Sequence, residues 1–401
     1  MPVPEYPIDG YETTGIRRLK RLQLILDGEI KDTPPIIGAQ KSIEDIQLNL
    51  IGYRGDSLDS LPPTDMLLQK GVDRIFAGLD KSYSLSIIDI TRGKPVRFAQ
   101  RQALRGYQPG SVGKLAVLAG FFTQLDKIYP KTFTERVDLL RNKSVRAGKW
   151  ALTDEHTIPI FDPETNSFVK RVVRETDVFS LYEWIDHMLS VSNNGAASVV
   201  WREAMLMGAF GKEYPELTEE QANNYFAETP KQALAEHANE VVNGPLRKLG
   251  ITADEWRLGS FFTRGASNIV PDKGGSIGTT NGLMKFLIAL ERGNVVDLKS
   301  SLEIKRLMYM TDRRIRYAAA TTLKDAAVYF KSGSLYQCQP EEGYTCQKYM
   351  GNKSNFMNSV AIIEHPDGTT YMVCLMSNVL KKNSSNEHFS LATLIDRLIK
   401  A

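Results

Sequence analysis

The sequence predicts an α+β fold, an α/β sandwich in which one antiparallel sheet built from both chain ends is flanked by helices. Alternation of apolar and polar residues indicates strands early in the chain, at 82–90 and 96–100. The same alternation returns late, at 327–335, 358–364 and 370–377. Between the two groups apolar residues recur at helical spacing. Because βαβ units would alternate strands with single helices, this order favours one antiparallel sheet with a large helical subdomain inserted.

The chain divides into an N-terminal extension over 1–63 and one domain over 64–401, whose helical subdomain runs from about 111 to 325. The extension is irregular, and its one segment with helical spacing, 16–26, favours a helix docked by its Leu and Ile face. After it, Thr64 is a candidate N-cap of the next helix.

That helix is predicted over 65–79, and a closing amphipathic helix over 386–400. Two segments have the character of insertions. The segment at 154–173 is typical of a polar hairpin, and the one at 205–242 is rich in Glu, Asn and Gln.

Composition excludes several classes of protein. The 401 residues include 50 Lys and Arg against 47 Asp and Glu, and 42% are hydrophobic, as in ordinary folded domains. The basic residues are scattered, so nucleic acid is not a predicted partner. The longest strongly apolar stretch, 115–122, is too short to span a bilayer, so no transmembrane segment is predicted.

The cysteines and the first residues bear on the compartment. The start, MPVPEYPIDG, has neither the basic nor the apolar region of a signal peptide, which fits a cytoplasmic protein or an exported one whose leader was replaced. Cys338 and Cys346 bracket a short loop that a disulfide could close in an oxidising compartment. Cys374 lies in an apolar run that favours a buried thiol. From spacing alone, three unpaired thiols remain an equal alternative.

The first motif with catalytic potential is Ser111-Val112-Gly113-Lys114, an S-x-x-K sequence placed directly before an apolar helical run. One helical turn puts Ser111 and Lys114 on the same face, so a neutral Lys114 amine could accept the proton of the Ser111 hydroxyl. A second copy of the pattern, at 167–170, lies in a polar stretch, which favours a surface position.

The second motif is Ser192-Asn193-Asn194, an S-x-N sequence between two helical segments. The Ser192 hydroxyl could pass a proton to a leaving group, and the Asn194 amide could bind a substrate carbonyl. The alternative is a helix-capping turn, in which Ser and Asn are common.

The third motif is Lys331-Ser332-Gly333, at the end of a predicted strand. The cation and the hydroxyl could bind a substrate carboxylate, and Gly333 would allow close backbone approach. An exposed lysine on an ordinary edge strand is the alternative. The order of the three motifs, each on a suitable element, favours a common site over chance.

Together these motifs resemble those of the penicillin-recognising serine hydrolases, the class A β-lactamases and D-alanyl-D-alanine peptidases, whose S-x-x-K, S-D-N and K-T-G occur in this order. The hairpin SYSLSIIDITRGKPV, the helix TTNGLMKFLIALERG and the last strands NSVAIIEHPDGTTYMVCLMSN are similar to parts of that family. The resemblance covers roughly 64–401 and implies a β-lactamase/transpeptidase-like fold.

The resemblance also implies a role for each motif residue. Ser111 would be the acylated nucleophile, Lys114 its base, and Ser192 the relay that protonates the leaving group. Substrate binding would fall to Asn194, Lys331, Ser332, Gly333 and Ser334. Of these, Asn194 would hold the substrate amide and Lys331 with Ser332 its carboxylate. The backbone N–H groups of Ser111 and Ser334 would form the oxyanion hole.

One departure from the family pattern bears on turnover. Class A β-lactamases hydrolyse the acyl-enzyme with a Glu of the Ω-loop, and the corresponding stretch here, 256–280, contains none. Its one carboxylate, Asp272, is expected to pair with Arg264, and Glu255 lies just outside the stretch. The middle residue of the second motif is Asn193 instead of Asp. The sequence therefore predicts a long-lived acyl-enzyme and poor β-lactamase activity.

Other chemistries fit less well. The G-x-S-x-G pattern at 274–278 lacks the preceding strand and the parallel sheet of an α/β-hydrolase. The five His residues show no metal-ligand spacing, so neither a metal nor a cofactor is predicted.

The sequence thus predicts a periplasmic or secreted serine hydrolase, with the leader removed from this chain. Its substrate would be a β-lactam, a D-Ala-D-Ala-like peptide or an ester that carries a carboxylate and acylates Ser111. Two alternatives stay open: a penicillin- or wall-peptide-binding sensor module without turnover, and an esterase for small esters.

Overall fold

The computed structural model describes residue 8 and residues 10–58, 60–312 and 314–401. The strands in chain order are β1 (Ser84–Asp89), β2 (Arg97–Arg101), β3 (Ser144–Arg146), β4 (Thr157–Asp162), β5 (Ser167–Val172), β6 (Val178–Ser180), β7 (Trp256–Arg257), β8 (Ile277–Gly278), β9 (Ala327–Gln337), β10 (Ser354–Glu364) and β11 (Thr370–Asn378). The α-helices are α1 (Tyr11–Thr14), α2 (Arg17–Leu26), α3 (Tyr53–Asp56), α4 (Met66–Phe76), α5 (Lys114–Ile128), α6 (Phe133–Asn142), α7 (Leu181–Ser190), α8 (Asn194–Phe210), α9 (Glu219–Glu228), α10 (Lys231–Lys248), α11 (Arg264–Ile269), α12 (Thr280–Glu291), α13 (Leu298–Tyr309) and α14 (Ser385–Lys400).

The sheet is built from both ends of the chain, which confirms the predicted fold class. Its five strands run in the order β2-β1-β11-β10-β9 and every neighbouring pair is antiparallel. The early hairpin joins the late strands where Ile87 of β1 lies opposite Val373 of β11. Strand β9, which carries the third motif, is therefore an edge of the sheet.

The two faces of the sheet bury different partners, as the alternation of side chains along a strand requires. Ile87 belongs to a core shared with α4 and α14, whereas its neighbour Ile88 belongs to the larger core of the helical subdomain. Because β1 and β11 lie in the middle of the sheet and are covered on both sides, their residues are almost all buried.

Helix α5 is the central helix of the subdomain. Its run KLAVLAGFF is apolar on every side, and a helix of that kind is stable only when it is enclosed. It packs against α8 and α10. A 3-10 turn, Gly110–Gly113, leads into it and carries Ser111. The core thus fixes the start of α5, and with it the S-x-x-K motif.

The N-terminal extension is docked on the helical subdomain. Ile16 and Leu19 are buried in the core of that subdomain, so the predicted apolar docking face of α2 is confirmed. Arg18 adds a buried, two-pronged ion pair with Asp186 of α7, at 2.9 and 2.7 Å. The described part of the extension and the subdomain therefore share one core.

Two local predictions are corrected. The N-cap of α4 is Asp65 instead of Thr64, because the Asp65 carboxylate accepts the N–H of Leu68 at 2.8 Å. The helix ends at Phe76, three residues before the predicted end, and a turn follows it.

The predicted hairpin and the predicted buried thiol are confirmed, and of the two alternatives left open for Cys338 and Cys346 the structure shows the disulfide. Cys338 and Cys346 form a disulfide that closes the loop between β9 and β10, and Cys374 is a buried free thiol. The polar segment at 154–173 contains the hairpin of β4 and β5.

None of the helices in the described ranges combines the length and the apolar character that a membrane-spanning helix requires.

A buried charge cluster ties α13 to the end of β10. The Lys305 amine is fully buried and lies 2.7 Å from a carboxylate oxygen of both Glu291 and Glu364. Lys41 of the extension approaches Glu364 at 2.9 Å. Burial by itself would raise the pKa of Glu364, but the charges of Lys305 and Lys41 lower it to about 2. Both buried carboxylates therefore depend on the positive charge of Lys305 for their electrostatic stabilisation.

Replacing Lys305 with methionine is expected to destabilise the fold by about 3–5 kcal/mol, because two carboxylates then lose a buried partner. Urea unfolding followed by far-UV circular dichroism measures the change. Lys299→Met is the matched control, since Lys299 is exposed on the same helix, and it should change stability by less than about 0.5 kcal/mol. Equal effects of the two substitutions would contradict a structural role for the buried cluster.

Candidate active site

A cleft of about 570 Å³ opens between the edge strand β9 and the helical subdomain. Residues of all three motifs line it: Ser111, Ser192, Asn194, Lys331, Ser332, Gly333 and Ser334. Lys114 is fully buried directly beneath Ser111. The structure therefore brings together every residue that the sequence analysis selected for the site.

Ser111 and Lys114 are in direct contact. The Lys114 Nζ atom lies 3.0 Å from the Ser111 Oγ atom, because the 3-10 turn and the first turn of α5 place both side chains on one face. A hydroxyl at this distance can give its proton to a neutral amine without any rearrangement of the backbone. The copy of this pattern at 167–170 lies on the exposed strand β5, as predicted.

The second motif closes over the Lys114 amine. The Asn194 Oδ1 atom accepts from it at 2.8 Å and the Ser192 carbonyl oxygen at 2.7 Å. Asn193 also caps helix α8, since its Oδ1 accepts the N–H of Ala196 at 2.6 Å. The capping turn and the contact with Lys114 are therefore two properties of the same segment, not alternatives.

The Ser192 hydroxyl lies between two lysines. Its Oγ atom is 3.3 Å from Lys114 Nζ and 2.8 Å from Lys331 Nζ. The backbone of Ser192 has a φ of 60°, a left-handed value that is costly for a residue with a side chain. This conformation presents the hydroxyl and the carbonyl of one residue to the same amine. The hydroxyl is thus placed where it can pass a proton out of the Lys114 site.

Lys331 is buried, with 2% of its surface exposed, so it is not an ordinary edge-strand lysine. On the same strand, a Cβ atom at Gly333 would collide with the Pro109 carbonyl oxygen and lie 2.9 Å from the Ser111 nitrogen. Opposite Gly333, the Asn358 amide donates to Pro109 at 3.0 Å. The sheet edge therefore packs directly on the turn that carries Ser111, and only glycine fits.

The backbone of the Ser111 turn also approaches Ser334. Gly110 has a φ of 53°, and a Cβ atom there would lie 2.8 Å from the Ser334 nitrogen. The nitrogen atoms of Ser111 and Ser334 thus border one narrow contact between the turn and strand β9. Two N–H groups so placed could stabilise an oxyanion formed at Ser111.

Three further residues at the cleft belong to no sequence motif. Arg316, with a φ of 54°, donates to the Gly333 carbonyl at 3.0 Å, and its guanidinium lies 5.3 Å from the Tyr349 ring centre. Burial lowers the pKa of Arg316. Asp154 and His156 lie on the segment before β4, and His156 lines the cleft. Their residue types are common in loops, so only the tertiary structure identifies them.

The stretch at 256–280 contributes apolar groups to the cleft. Leu258, Phe261 and Phe262 line it, and the Phe262 ring centre is 5.2 Å from Lys114 Nζ. Glu255 does not line the cleft, because its carboxylate binds Lys285 and Asn281, both at 2.6 Å.

The expected pairing of Asp272 with Arg264 is wrong. Asp272 accepts instead from the Ser267 hydroxyl at 3.0 Å, and no ion pair between Asp272 and Arg264 exists among the described residues.

In the described part of the chain, no group of three His, Cys, Asp or Glu residues is arranged to hold a metal ion.

An antiparallel sheet with an inserted helical subdomain and a Ser-Lys pair at their junction defines the serine hydrolases of the β-lactamase fold. A family model for the beta-lactamase enzyme family matches residues 67–395, and the chain belongs to this family. The comparison with curated protein sequences gives no match.

Solved structures show the same fold at low sequence identity. The β-lactamase of Chitinophaga pinensis is similar at 15% identity and a TM-score of 0.54, over 82% of this chain and 97% of that one. A class A β-lactamase of Bacteroides cellulosilyticus is similar at 14% identity and a TM-score of 0.53, over 84% of this chain and 98% of that one. A mutant of PBP-A in its acyl-enzyme complex with penicillin G is similar at 12% identity and a TM-score of 0.53, over 84% of this chain and 97% of that one.

Proposed function

We propose that the protein is a serine hydrolase acylated at Ser111 by a β-lactam, or by a peptide, amide or ester that carries a carboxylate. The observation that carries this proposal is the 3.0 Å contact between Ser111 Oγ and the fully buried Lys114 Nζ. The PBP-A structure contains an acyl-enzyme formed with penicillin G, which supports a similar reaction here.

In the proposed first step, Ser111 Oγ attacks the substrate carbonyl carbon while its proton passes to a neutral Lys114 amine. The carbonyl oxygen becomes an oxyanion held by the N–H groups of Ser111 and Ser334. Collapse of this intermediate breaks the bond to the leaving nitrogen or oxygen. That atom takes a proton from the Ser192 hydroxyl, which regains one from Lys114. Lys114 is then neutral again, and the acyl group stays on Ser111.

We further propose that Lys331 and Ser332 hold the substrate carboxylate, and that Asn194 donates to its amide carbonyl. Lys331 is nearly inaccessible to water, which strengthens its attraction for an anion in the cleft. Arg316 adds a second buried cation on the same wall. Glu155 is the one carboxylate among the described residues that line the cleft, and it is exposed.

The second half of the reaction is proposed to be slow with β-lactams. Hydrolysis of the acyl-enzyme needs a base that activates water near Ser111. The stretch at 256–280 supplies Phe261 and Phe262 there, and Glu255 is engaged with Lys285. The carboxylate of Asp272 is engaged with Ser267.

The proposed organisation is one hydrolase unit over 64–401, with residues of the 1–63 extension docked on it. The proposed location is outside the cytoplasm. A disulfide between Cys338 and Cys346 supports that location, because such bonds persist in oxidising compartments.

Intact-protein mass spectrometry after incubation with benzylpenicillin tests the proposal. We expect the mass to rise by one penicillin and the adduct to persist for many minutes, since the described stretch at 256–280 places apolar side chains and no free carboxylate beside the site. Ser111→Ala should show no adduct. No adduct on the natural protein, with penicillin intact, would contradict β-lactam acylation and favour an esterase. Rapid consumption of penicillin without an adduct would contradict slow deacylation.

A further inference from the structure

Asp154 is a buried anion beside the site that no motif predicts. Its side chain is 3% exposed, although it lies in the loop before the hairpin of β4 and β5. The Asp154 Oδ2 atom accepts the N–H groups of Asn194 at 2.7 Å and Gly195 at 3.3 Å. These are the first two residues of α8, where free N–H groups and the helix dipole favour a negative charge.

The same carboxylate contacts the side chain of Asn194. The Asn194 Nδ2 atom donates to Asp154 Oδ1 at 3.3 Å, while its Oδ1 atom accepts from Lys114 at 2.8 Å. A side-chain amide has donors at one end and an acceptor at the other. Reversing it would place the amide oxygen against a carboxylate and the amide nitrogen against an amine. The anion and the lysine together therefore allow one orientation.

The position of Asp154 is itself fixed by its neighbours. The His156 Nδ1 atom lies 2.6 Å from Asp154 Oδ1, and the His156 carbonyl accepts from the Asn193 amide at 2.8 Å. The loop before β4 is thus bound to the second motif at two points. An exposed loop would not hold a carboxylate so firmly without such contacts.

We propose that Asp154 is a positioning residue of the catalytic site, which fixes the Asn194 amide and stabilises the protonated form of Lys114. Only the expected effect on the acylation rate rests on the proposed function; the role of Asp154 in fixing Asn194 does not. Held in this way, Asn194 keeps its oxygen on Lys114 and retains one amide hydrogen for a substrate carbonyl.

Electrostatics supports the link between Asp154 and Lys114. Burial would raise the pKa of Asp154, but its bonds with His156 and the charge of Lys114 lower it overall. Coupling between two sites is reciprocal, so the Asp154 charge must favour protonated Lys114. Other titratable groups near this cluster include His156 and the exposed Glu155, on the same segment as Asp154, and Lys331, reached through Ser192. Lys331 opposes the effect of Asp154 on Lys114.

Asp154→Asn tests the proposal, because asparagine keeps the shape and the acceptor but loses the charge. Lysine side chains labelled with carbon-13 are titrated by NMR, and the Lys114 signal is assigned by its loss in Lys114→Met. We expect the Lys114 titration midpoint to move to lower pH in Asp154→Asn. Glu155→Gln is the matched control, since Glu155 is exposed and adjacent, and it should leave the midpoint in place.

The second measurement is the rate of penicillin acylation at a pH where Lys114 is neutral. Asparagine has one acceptor oxygen in place of two, so it cannot accept from both the N–H groups of α8 and the Asn194 side chain. The amide of Asn194 then loses its fixed orientation, and we expect acylation to be about tenfold slower or more in Asp154→Asn. An unshifted Lys114 midpoint, or an unchanged rate on an acylating protein, would overturn the proposal. If penicillin does not acylate the natural protein at all, the proposed acylation by β-lactams fails, and the NMR titration alone still decides the role of Asp154. If Asp154→Asn does not fold, Asp154→Ser, which retains an oxygen near α8, takes its place in both measurements.

Discussion

Acylation by benzylpenicillin is expected to be slower by about three orders of magnitude in Lys114→Met, since a positioned base contributes a factor of about 10²–10⁴. Methionine has nearly the length of lysine but cannot accept the Ser111 proton. Ser111 and Ser192 would both remain, so the proposed nucleophile would be present without its proposed base. The rate of adduct formation, followed by intact mass at several penicillin concentrations, measures the effect.

The control for this experiment is Lys127→Met, a substitution at the exposed end of the same helix α5. It should leave the acylation rate within about twofold, because a surface position far from the cleft changes little. Thermal unfolding of both variants separates a loss of base from a loss of structure. Acylation of a folded Lys114→Met at the natural rate would show that another group activates Ser111.

A gain of turnover is expected for Phe262→Glu. The Phe262 ring lies 5.2 Å from Lys114 Nζ and lines the cleft, so a carboxylate at this position reaches the region beside Ser111. There it can accept a proton from a water molecule that attacks the acyl-enzyme. General-base assistance of this kind leads us to expect deacylation at least about tenfold faster.

Phe262→Gln is the control, because glutamine has the shape of glutamate but is a much weaker base. The time course of adduct loss, after excess penicillin is removed, gives the deacylation rate of each variant. Faster loss in both variants would attribute the effect to water entry through a smaller side chain. Faster loss in neither would show that water activation near Lys114 is not what limits turnover.

The fold could be predicted because its signals are local. Alternating residues such as those of β1 and β11 mark strands, and the apolar run that begins at Lys114 marks an enclosed helix. The order of strands, helices and strands then leaves few arrangements. Helix ends were predicted less well. The N-cap of α4 was misplaced by one residue because Thr64 and Asp65 are both good caps, and only the hydrogen bond to Leu68 decides between them.

The site was predictable only as far as its motifs extend. The three motif segments lie about 80 to 140 residues apart along the chain, as the separations of the contacts of Ser192 with Lys114 and Lys331 show. Asp154 and Arg316 could not be found in this way. An aspartate or arginine in a loop has no sequence feature that distinguishes a buried position at a cleft from an exposed one.

The sequence by itself determined which groups are available for the proposed chemistry: the Ser111 hydroxyl, the adjacent Lys114 amine, the Ser192 hydroxyl and a lysine on a predicted strand. It also determined that the stretch at 256–280 lacks glutamate. The tertiary structure alone decided that Lys331 is buried, that Gly333 packs on the turn of Ser111, and that a carboxylate from another loop fixes Asn194. The physical reason is that burial and the interaction of charges depend on distances in space. Those distances are set when segments far apart in the chain pack into one core.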